Sequence, residues 1–199
     1  MATKRISHAE NDLVRASDLI GLGQSMGAMT NGVVDASDVY RAALVQAIAA
    51  LDHYCHGVIL DRAVDIVMSR TPSGKAAKLG IPFEAVRQIV SAPTPWDQEQ
   101  VARTHVAQRL ALETFQRSDS IANGLAAVGV GKIWTTAFGT SAEATMLALN
   151  LIVDRRNKIV HQGDSDPLNP GMPVPLAASG SIDATRLVRD IVTAIDVHC

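Results

Sequence analysis

The sequence predicts an all-α fold, a single-domain helical bundle with one long central helix and a C-terminal motif helix. Ala, Leu, Val and Ile dominate the chain and aromatic residues make up 4%, a mixture that favours helices packed on helices. Apolar residues make up 47% and charged residues 19%, an ordinary globular composition. Apolar residues also recur at helical spacing between clusters of Pro and Gly.

One domain is expected over residues 1–199. A chain of 199 residues suits one well-buried core, and we find no internal repeat, low-complexity tract or linker in it. An N-terminal helix is expected at about residues 6–29, and three glycines weaken its end. The core of the domain then covers about residues 36–199.

The longest periodic run in the chain, residues 35–69, predicts the central helix. Short polar side chains at its start can cap free N–H groups, and a wide apolar face follows them. A breaker at residues 71–75 separates it from a short helix expected over residues 82–90. Thr94 has the character of an N-cap and predicts a further helix over residues 95–116.

The motif helix is expected to follow two short helical pieces, at residues 118–125 and 133–138. Residues 140–143, Thr-Ser-Ala-Glu, have the form of a capping box, in which a hydroxyl and a carboxylate satisfy two free donors. The motif helix should run from there to Gln162, where Gly163 ends it. Its expected buried side consists of Met146, Leu149, Ile152, Val153, Ile159 and Val160.

The C-terminal part of the chain is expected to form a loop and a last helix. Residues 164–180 contain four prolines, which predicts a loop of a length that is usually functional or mobile. Ser181 should begin the last helix, whose apolar side runs from Leu187 to Ile195.

Charge and cysteine content restrict the classes of function. The formal net charge is −2 and the pI is near 6.3, which counts against non-specific RNA binding through a broad basic surface. The same balance is compatible with a nuclease that holds one phosphate through a local basic cluster. Cys55 and Cys199 predict neither a disulfide framework nor a metal site. Without a signal sequence or about 20 consecutive apolar residues, the chain is expected in the cytoplasm and away from membranes.

Arg156, Asn157 and His161 form the candidate catalytic set near the end of the motif helix. Arg presents a planar fork of donors that matches a phosphate, and His titrates near neutral pH. Asn157 and His161 share a helix face, whereas Arg156 lies about 140° round the helix from His161. A second copy of the helix, packed across a two-fold axis, could bring the Arg156, Asn157 and His161 side chains of both copies to one cleft. Basic residues also favour a helix C-terminus for electrostatic reasons, so plain capping is the competing interpretation.

Residues 156–161 read Arg-Asn-Lys-Ile-Val-His, which fits the Arg-Asn-x-x-x-His motif of the HEPN superfamily. Three ordered segments resemble the RiboL-PSP-HEPN branch of that superfamily: residues 49–56, residues 120–125 with the Lys-Ile-Trp step at 132–134 after them, and the end of the motif helix at 155–164. The ordered set is much more specific than a bare Arg-x4-His spacing. The resemblance covers about residues 40–164.

The resemblance implies a metal-independent endoribonuclease without cofactors, which works as a homodimer with a composite active site. His161 would be the general base or acid in attack of an RNA 2′-hydroxyl on the adjacent phosphate. Arg156 would bind that phosphate, and Asn157 would orient His161 or a phosphate oxygen. Roles in toxin–antitoxin pairs, stress or phage defence are implied, with an antitoxin as partner. Some HEPN toxins carry a Tyr two residues after the motif His, where Gly163 stands here, so control through that Tyr is not expected.

Asp52, His56, Arg155 and Lys158 are candidate supporting residues. Asp52 and His56 are four residues apart on the central helix, where they can form a satisfied internal pair. Alternatively, they can reach the motif helix and hold the guanidinium of Arg156. Arg155 also falls within a looser Arg-x4–6-His spacing, although Arg156 fits the motif better. Lys158 belongs to the same local basic cluster.

Two functions other than RNA cleavage stay open at this point. One is a HEPN domain that binds a nucleotide or RNA without cutting it, for which the acidic balance leaves room. The other is an interaction protein whose motif helps to build a dimer interface. The complete Arg-Asn-x-x-x-His motif favours the nuclease over both.

Overall fold

The computed structural model describes residues 4–72 and 79–199, and this part of the chain is all-α apart from one small hairpin. The predicted fold class is confirmed, while residues 1–3 of the domain and 73–75 of the breaker lie outside the described residues. The helices are α1 (Lys4–Met29), α2 (Ser37–Val67), α3 (Phe83–Ser91), α4 (Pro95–Leu110), α5 (Ser118–Ala127), α6 (Ile133–Phe138), α7 (Ala142–Gln162) and α8 (Ala178–Asp196). The antiparallel strands are β1 (Ser165–Asp166) and β2 (Asn169–Pro173).

Helix α2 is the long central helix that the sequence predicts. It has 31 residues, and α1, α4, α5, α7 and α8 all contact it. Ala43 and Ala47 are fully buried along α2, and these small side chains let neighbouring helices approach closely. Leu51 and Ile59 are also fully buried, and burying each such side chain contributes about 1.5–3 kcal/mol. Most of the apolar core is therefore built around this helix.

Helix α1 continues through the three glycines that were expected to weaken its end. Each glycine costs about 1 kcal/mol relative to Ala in a helix. Gly23 allows a close approach of α1 to α2, because a Cβ there would lie 2.6 Å from the ring of Tyr40. Packing of α1 against α2 and α8 stabilises the helix in spite of its low intrinsic propensity.

Helices α3 and α4 begin close to their predicted positions. Pro82 precedes the first residue of α3, and Pro95 is the first residue of α4. Thr94 acts as the predicted N-cap, since its Oγ1 accepts the N–H of Asp97 at 3.1 Å. Local sequence signals are therefore sufficient to place these two helix starts.

The end of α4 differs from the prediction. The helix stops at Leu110, whereas the sequence pattern predicts a helix over residues 95–116. Beyond Leu110 the chain turns, and the carboxylate of Asp52 accepts the N–H of Phe115 at 2.6 Å. The ring of Phe115 is 4% exposed, so its burial and this long-range bond outweigh the local helical pattern. We call residues 111–117 the connector.

Helix α7 has the predicted end but not the predicted start. Gly163 ends it in the left-handed conformation, with φ of 60°. The capping box is wrong: residues 139–141 form a 3₁₀ turn, and the Oγ of Ser141 donates to the carbonyl of Phe138 at 2.8 Å. Leu149 and Val153 are buried as predicted, but Val160 is 47% exposed.

The segment after α7 is more ordered than predicted. Within residues 164–180, β1 and β2 form a hairpin, and α8 begins at Ala178, three residues before the predicted start. The prediction of a plain loop is therefore wrong for this part. The four prolines do not prevent a two-stranded hairpin, because a short exposed strand does not need every backbone donor.

Two helical stretches are long and apolar enough, by length and composition alone, to cross a membrane: Ser37–Val67 and Ile133–Gln162. The most apolar window of the first is 61% buried, as in the core helix of a bundle, and that of the second is 17% buried. Core helices pass the same test, so this is weak evidence for a membrane. The cytoplasmic location stays a prediction.

Candidate functional site

An open cleft of about 560 Å³ lies between the C-terminal half of α7 and the beginning of α5. Arg156, Asn157 and His161 line the α7 side of this cleft. The connector and the first turns of α5 line the opposite side, through Thr114, Gln116, Arg117, Asp119, Ser120 and Asn123. The three predicted catalytic residues therefore lie at one cleft.

The guanidinium of Arg156 makes only one hydrogen bond to the described part of the chain. Its Nη1 donates to Oδ1 of Asn157 at 3.0 Å. Its Nε is buried and has no hydrogen-bond partner among the described residues. Nη2 makes no hydrogen bond to the described residues either, and it is not buried, so it remains a donor that a phosphate oxygen can accept.

His161 and Asn157 share the face that the sequence predicts, but Asn157 is hydrogen-bonded to Arg156 and not to His161. The imidazole of His161 is exposed and makes no hydrogen bond to residues 4–72 or 79–199. Asn157 therefore orients Arg156 in this structure, while the ring nitrogens of His161 are accessible to a ligand in the cleft. Orientation of His161 by Asn157 stays a prediction for the ligand-bound protein.

Arg155 has a different environment from Arg156. Its Nη2 donates to Oδ2 of Asp164 at 2.8 Å and to the carbonyl of Val174 at 2.9 Å. Asp164 is 1% exposed, and Arg41 of α2 donates to the same carboxylate oxygen at 3.0 Å. The Arg41–Asp164–Arg155 cluster joins α2, the end of α7 and the hairpin. Arg155 therefore supports the fold, and it does not line the cleft.

Lys158 lies on the exposed side of α7, outside the residues that line the cleft. Its ammonium group makes no hydrogen bond to the described part of the chain. Its contribution within one subunit is therefore a positive charge near the end of the motif helix, and a more specific supporting role stays a prediction.

Asp52 and His56 form a satisfied pair that holds the connector. Besides the N–H of Phe115, the carboxylate of Asp52 accepts Nε2 of Gln116 at 3.1 Å. His56 Nδ1 lies 3.3 Å from Oδ1 of Asp52, and its Nε2 lies 3.2 Å from the carbonyl oxygen of Leu110. The alternative in which this pair binds Arg156 directly is wrong, because the Asp52 carboxylate bonds to the connector instead. Its support for the cleft is indirect, through Gln116.

The charge state of this pair follows from its hydrogen bonds. The side-chain bond from Asp52 raises the pKa of His56 from its ordinary 6.5 to about 9, although partial burial opposes the shift. Burial would raise the pKa of Asp52, but bonds from His56, Phe115 and Gln116 outweigh it and hold that pKa below its ordinary value. At neutral pH the connector is therefore held by an imidazolium and a carboxylate.

The start of α5 is fixed from a second direction. Nε1 of Trp134 donates to the carbonyl of Ser118 at 2.9 Å. Asn150 of α7 accepts the N–H of Ser118 at 3.1 Å and donates to its Oγ at 2.9 Å. Residues from all three segments of the HEPN resemblance thus lie around the connector and the cleft. Sequence reasoning missed Asn150, since a lone Asn within a helix gives no signal of such a long-range bond.

Arg117 links the two sides of the cleft. Its Nη2 donates to Oδ1 of Asp154 on α7, and both side chains are about half exposed. The pair places a second guanidinium at the cleft and neutralises one carboxylate beside it. Sequence reasoning missed Arg117, because its 37-residue separation from Asp154 is not a helical spacing.

No metal site is evident in the part of the chain that the structure describes. Within residues 4–72 and 79–199, no group of three or more His, Cys, Asp or Glu side chains has the arrangement of a metal site. Metal independence of the reaction stays a prediction, because this finding concerns resident ligands of these residues alone.

Comparisons of the chain with family models, with characterised proteins and with solved structures gave no significant match. The resemblance to HEPN domains therefore stays a prediction from the sequence motifs.

Proposed function

We propose that this protein is a metal-independent endoribonuclease of HEPN type, which cleaves RNA by attack of a 2′-hydroxyl at a composite site of a homodimer. The observation that carries the proposal is the cleft itself, where Arg156, Asn157 and His161 lie together opposite the beginning of α5. The cleft is open, and the guanidinium of Arg156 on its wall suits a phosphate.

The chemistry needs a proton acceptor, an anion-binding group and a proton donor. His161 of one subunit takes the proton of the 2′-hydroxyl, whose oxygen then forms a bond to the adjacent phosphorus. The bond from phosphorus to the 5′-oxygen breaks, and the partner's His161, in its protonated form, donates a proton to that oxygen. The products are a 2′,3′-cyclic phosphate and a 5′-hydroxyl. Arg156 stabilises the charge that develops on the phosphate oxygens.

The exposed side of α7 supports the dimer. Leu147, Leu151, Asp154, Lys158 and His161 follow one another at spacings of 4, 3, 4 and 3 residues, the spacing of a coiled-coil seam. Leu147 is 62% exposed and Leu151 is 61% exposed. A second copy packed on these leucines across a two-fold axis would cover them and bring the two His161 side chains towards one cleft.

The biological setting that fits this activity is a toxin–antitoxin system, a stress response or phage defence, as the HEPN resemblance implies. A cognate antitoxin or regulatory protein would then restrain the nuclease. Because Gly163 occupies the position of the modified Tyr of some HEPN toxins, we expect restraint by binding and not by modification at that position.

The test is cleavage of total RNA by the purified protein in EDTA. Wild-type protein is expected to produce fragments with cyclic phosphate ends. His161→Ala is expected to lower the cleavage rate at least about a hundredfold. His8→Ala is the matched control, because His8 is an exposed histidine of α1 outside the cleft lining. Undiminished cleavage by His161→Ala would exclude the assigned role. RNA retention in a gel without any cleavage would instead favour the non-catalytic binding module.

A further inference from the structure

A second pocket adjoins the candidate cleft along α5. Its volume is about 250 Å³, and Ser120 and Asn123 line both cavities. Its remaining walls come from α2, the end of α4, the connector and the rest of α5, with Leu79 at one side. The two cavities therefore meet at the side chains of Ser120 and Asn123.

The inner walls of this pocket are well-fixed apolar side chains, and polar side chains make up the rest of its lining. Ile59, Leu110 and Phe115 are 0%, 2% and 4% exposed. The ring of Phe115 packs closely on α5 because Gly124 has no side chain, and a Cβ there would overlap the ring. On its other side the Phe115 ring meets the edge of His56, with 4.7 Å between ring centroids. The pocket is thus a preformed slot that combines buried apolar side chains with polar ones.

Polar groups stand at the mouth of the slot. The amide of Asn123 is exposed, makes no hydrogen bond to the described part of the chain, and offers one acceptor and two donors. Ser120 donates its Oγ proton to the carbonyl of Arg117 at 2.9 Å and keeps its acceptor capacity. Arg109 donates to Glu113 at 2.7 Å, and its planar guanidinium is 39% exposed at the mouth.

We propose that this slot receives the nucleobase of the RNA nucleotide whose phosphate lies beside Arg156 and His161, and that Asn123 selects the base. This proposal rests on the proposed nuclease function. A nucleotide carries its phosphate and its base on different positions of one ribose. Two adjoining cavities can therefore hold one nucleotide, with the phosphate in the cleft and the base in the slot. Unstacked RNA bases are recognised by apolar or aromatic surfaces together with a few hydrogen bonds to the base edge.

A nucleotide accounts for both cavities better than a peptide side chain does. An apolar peptide side chain would fill the slot, but it would leave the guanidinium of Arg156 in the adjoining cleft without an anion. A free phosphate would satisfy the cleft and leave the slot empty. A phosphate joined to a flat heterocycle fills both, and Ser120 and Asn123 line both of the cavities that such a ligand would occupy.

The test measures binding of inorganic phosphate and of the four nucleoside 3′-monophosphates to the full chain by calorimetry. Wild-type protein is expected to bind its preferred nucleotide at least about tenfold more tightly than its least preferred one. Asn123→Ala is expected to remove most of that discrimination, measured as the ratio of affinities among the four nucleotides. Asn11→Ala is the matched control, because Asn11 is an exposed amide of α1. Arg156→Ala should weaken phosphate and all four nucleotides by a similar factor.

A second variant tests the slot by filling it. Ala127 lies at the far end of the pocket lining on α5, so Ala127→Leu should weaken nucleotide binding about tenfold without changing phosphate binding. Its far-ultraviolet spectrum and urea midpoint establish that the variant is folded.

Two outcomes overturn the proposal while leaving the nuclease intact. One is RNA cleavage with an unchanged base preference in Asn123→Ala, and the other is unchanged nucleotide affinity in folded Ala127→Leu. Failure of the proposed function has a different signature, namely wild-type protein that does not cleave RNA or cleavage that survives His161→Ala. Base discrimination that depends on Asn123 and on the volume of the slot supports the proposal.

Discussion

Asp164 offers a direct test of how the end of α7 is held. Its carboxylate is 1% exposed, and Oδ2 accepts Arg41 Nε at 3.0 Å and Arg155 Nη2 at 2.8 Å. Its φ is 53°, in the left-handed region that Asn tolerates and most other residues do not. Asp164→Asn therefore removes the charge while it preserves the size of the side chain and the backbone conformation.

The expected loss follows from the burial of the three groups. Removing one partner of a buried ion pair costs about 3–5 kcal/mol, because the remaining charge is left without compensation. The side chain of Arg41 is 8% exposed, but that of Arg155 is 26% exposed, so water relieves part of its cost. Arg41 also keeps its bond to Asp38 at 2.8 Å. We therefore expect a loss of about 3 kcal/mol, which for a chain of 199 residues lowers Tm by about 6–12 °C.

Urea unfolding followed by circular dichroism measures this loss. Asp18→Ala is the control, since Asp18 is an exposed residue of α1, and its effect should stay within about 0.5 kcal/mol. A loss below about 1 kcal/mol for Asp164→Asn, with an unchanged m-value, would refute the reasoning, because a buried charge cannot lose its counter-ion at so small a cost.

Two further predictions concern the pair that holds the connector and the exposed face of α7. Because the pKa of His56 is raised from 6.5 to about 9, its contribution to stability is present below pH 6.5 and is lost as the pH rises through 9. Urea unfolding should show that His56→Gln destabilises the protein by about 2 kcal/mol less at about pH 10 than at about pH 6, after allowance for partial exposure. A free-energy difference between variant and wild type that is the same at both pH values would contradict this. Leu151→Glu should raise the dissociation constant of the proposed dimer, measured by light scattering, at least about tenfold. Leu168→Glu is the control and should not, because Leu168 lies in the hairpin and is 88% exposed. Equal dimerisation of both variants and wild type would show that α7 does not form the interface.

Local signals in the sequence were sufficient for most helix positions. The apolar period identifies α2, Thr94 and Pro95 begin α4, and Gly163 ends α7, because each signal acts within one or two helical turns. The capping box at residues 140–143 fails for a related reason. A Ser or Thr hydroxyl can bond to a nearby carbonyl instead of to a free N–H, and Ser141 does so here.

Contacts between distant residues could not be predicted in the same way. The bond from Asp52 to the N–H of Phe115 spans 63 residues, and it stops α4 earlier than the helical pattern indicates. The contact between Arg41 and Asp164 spans 123 residues. Neither separation is a helical spacing, so one sequence contains no signal for them. The cleft depends on the first of these contacts, since the bond fixes the connector that forms one of its sides.

The two neighbouring arginines of the motif show what the structure adds to the pattern. Consecutive residues of a helix point about 100° apart, so Arg155 and Arg156 cannot serve the same surface. Arg155 turns towards Asp164 and the carbonyl of Val174, and a guanidinium bound to a buried carboxylate is a poor phosphate ligand. Arg156 lines the cleft, and the only hydrogen bond of its side chain to the described residues goes to Asn157. If RNA cleavage is found, it should therefore depend on Arg156 directly, while Arg155 should affect it through the stability of the end of α7.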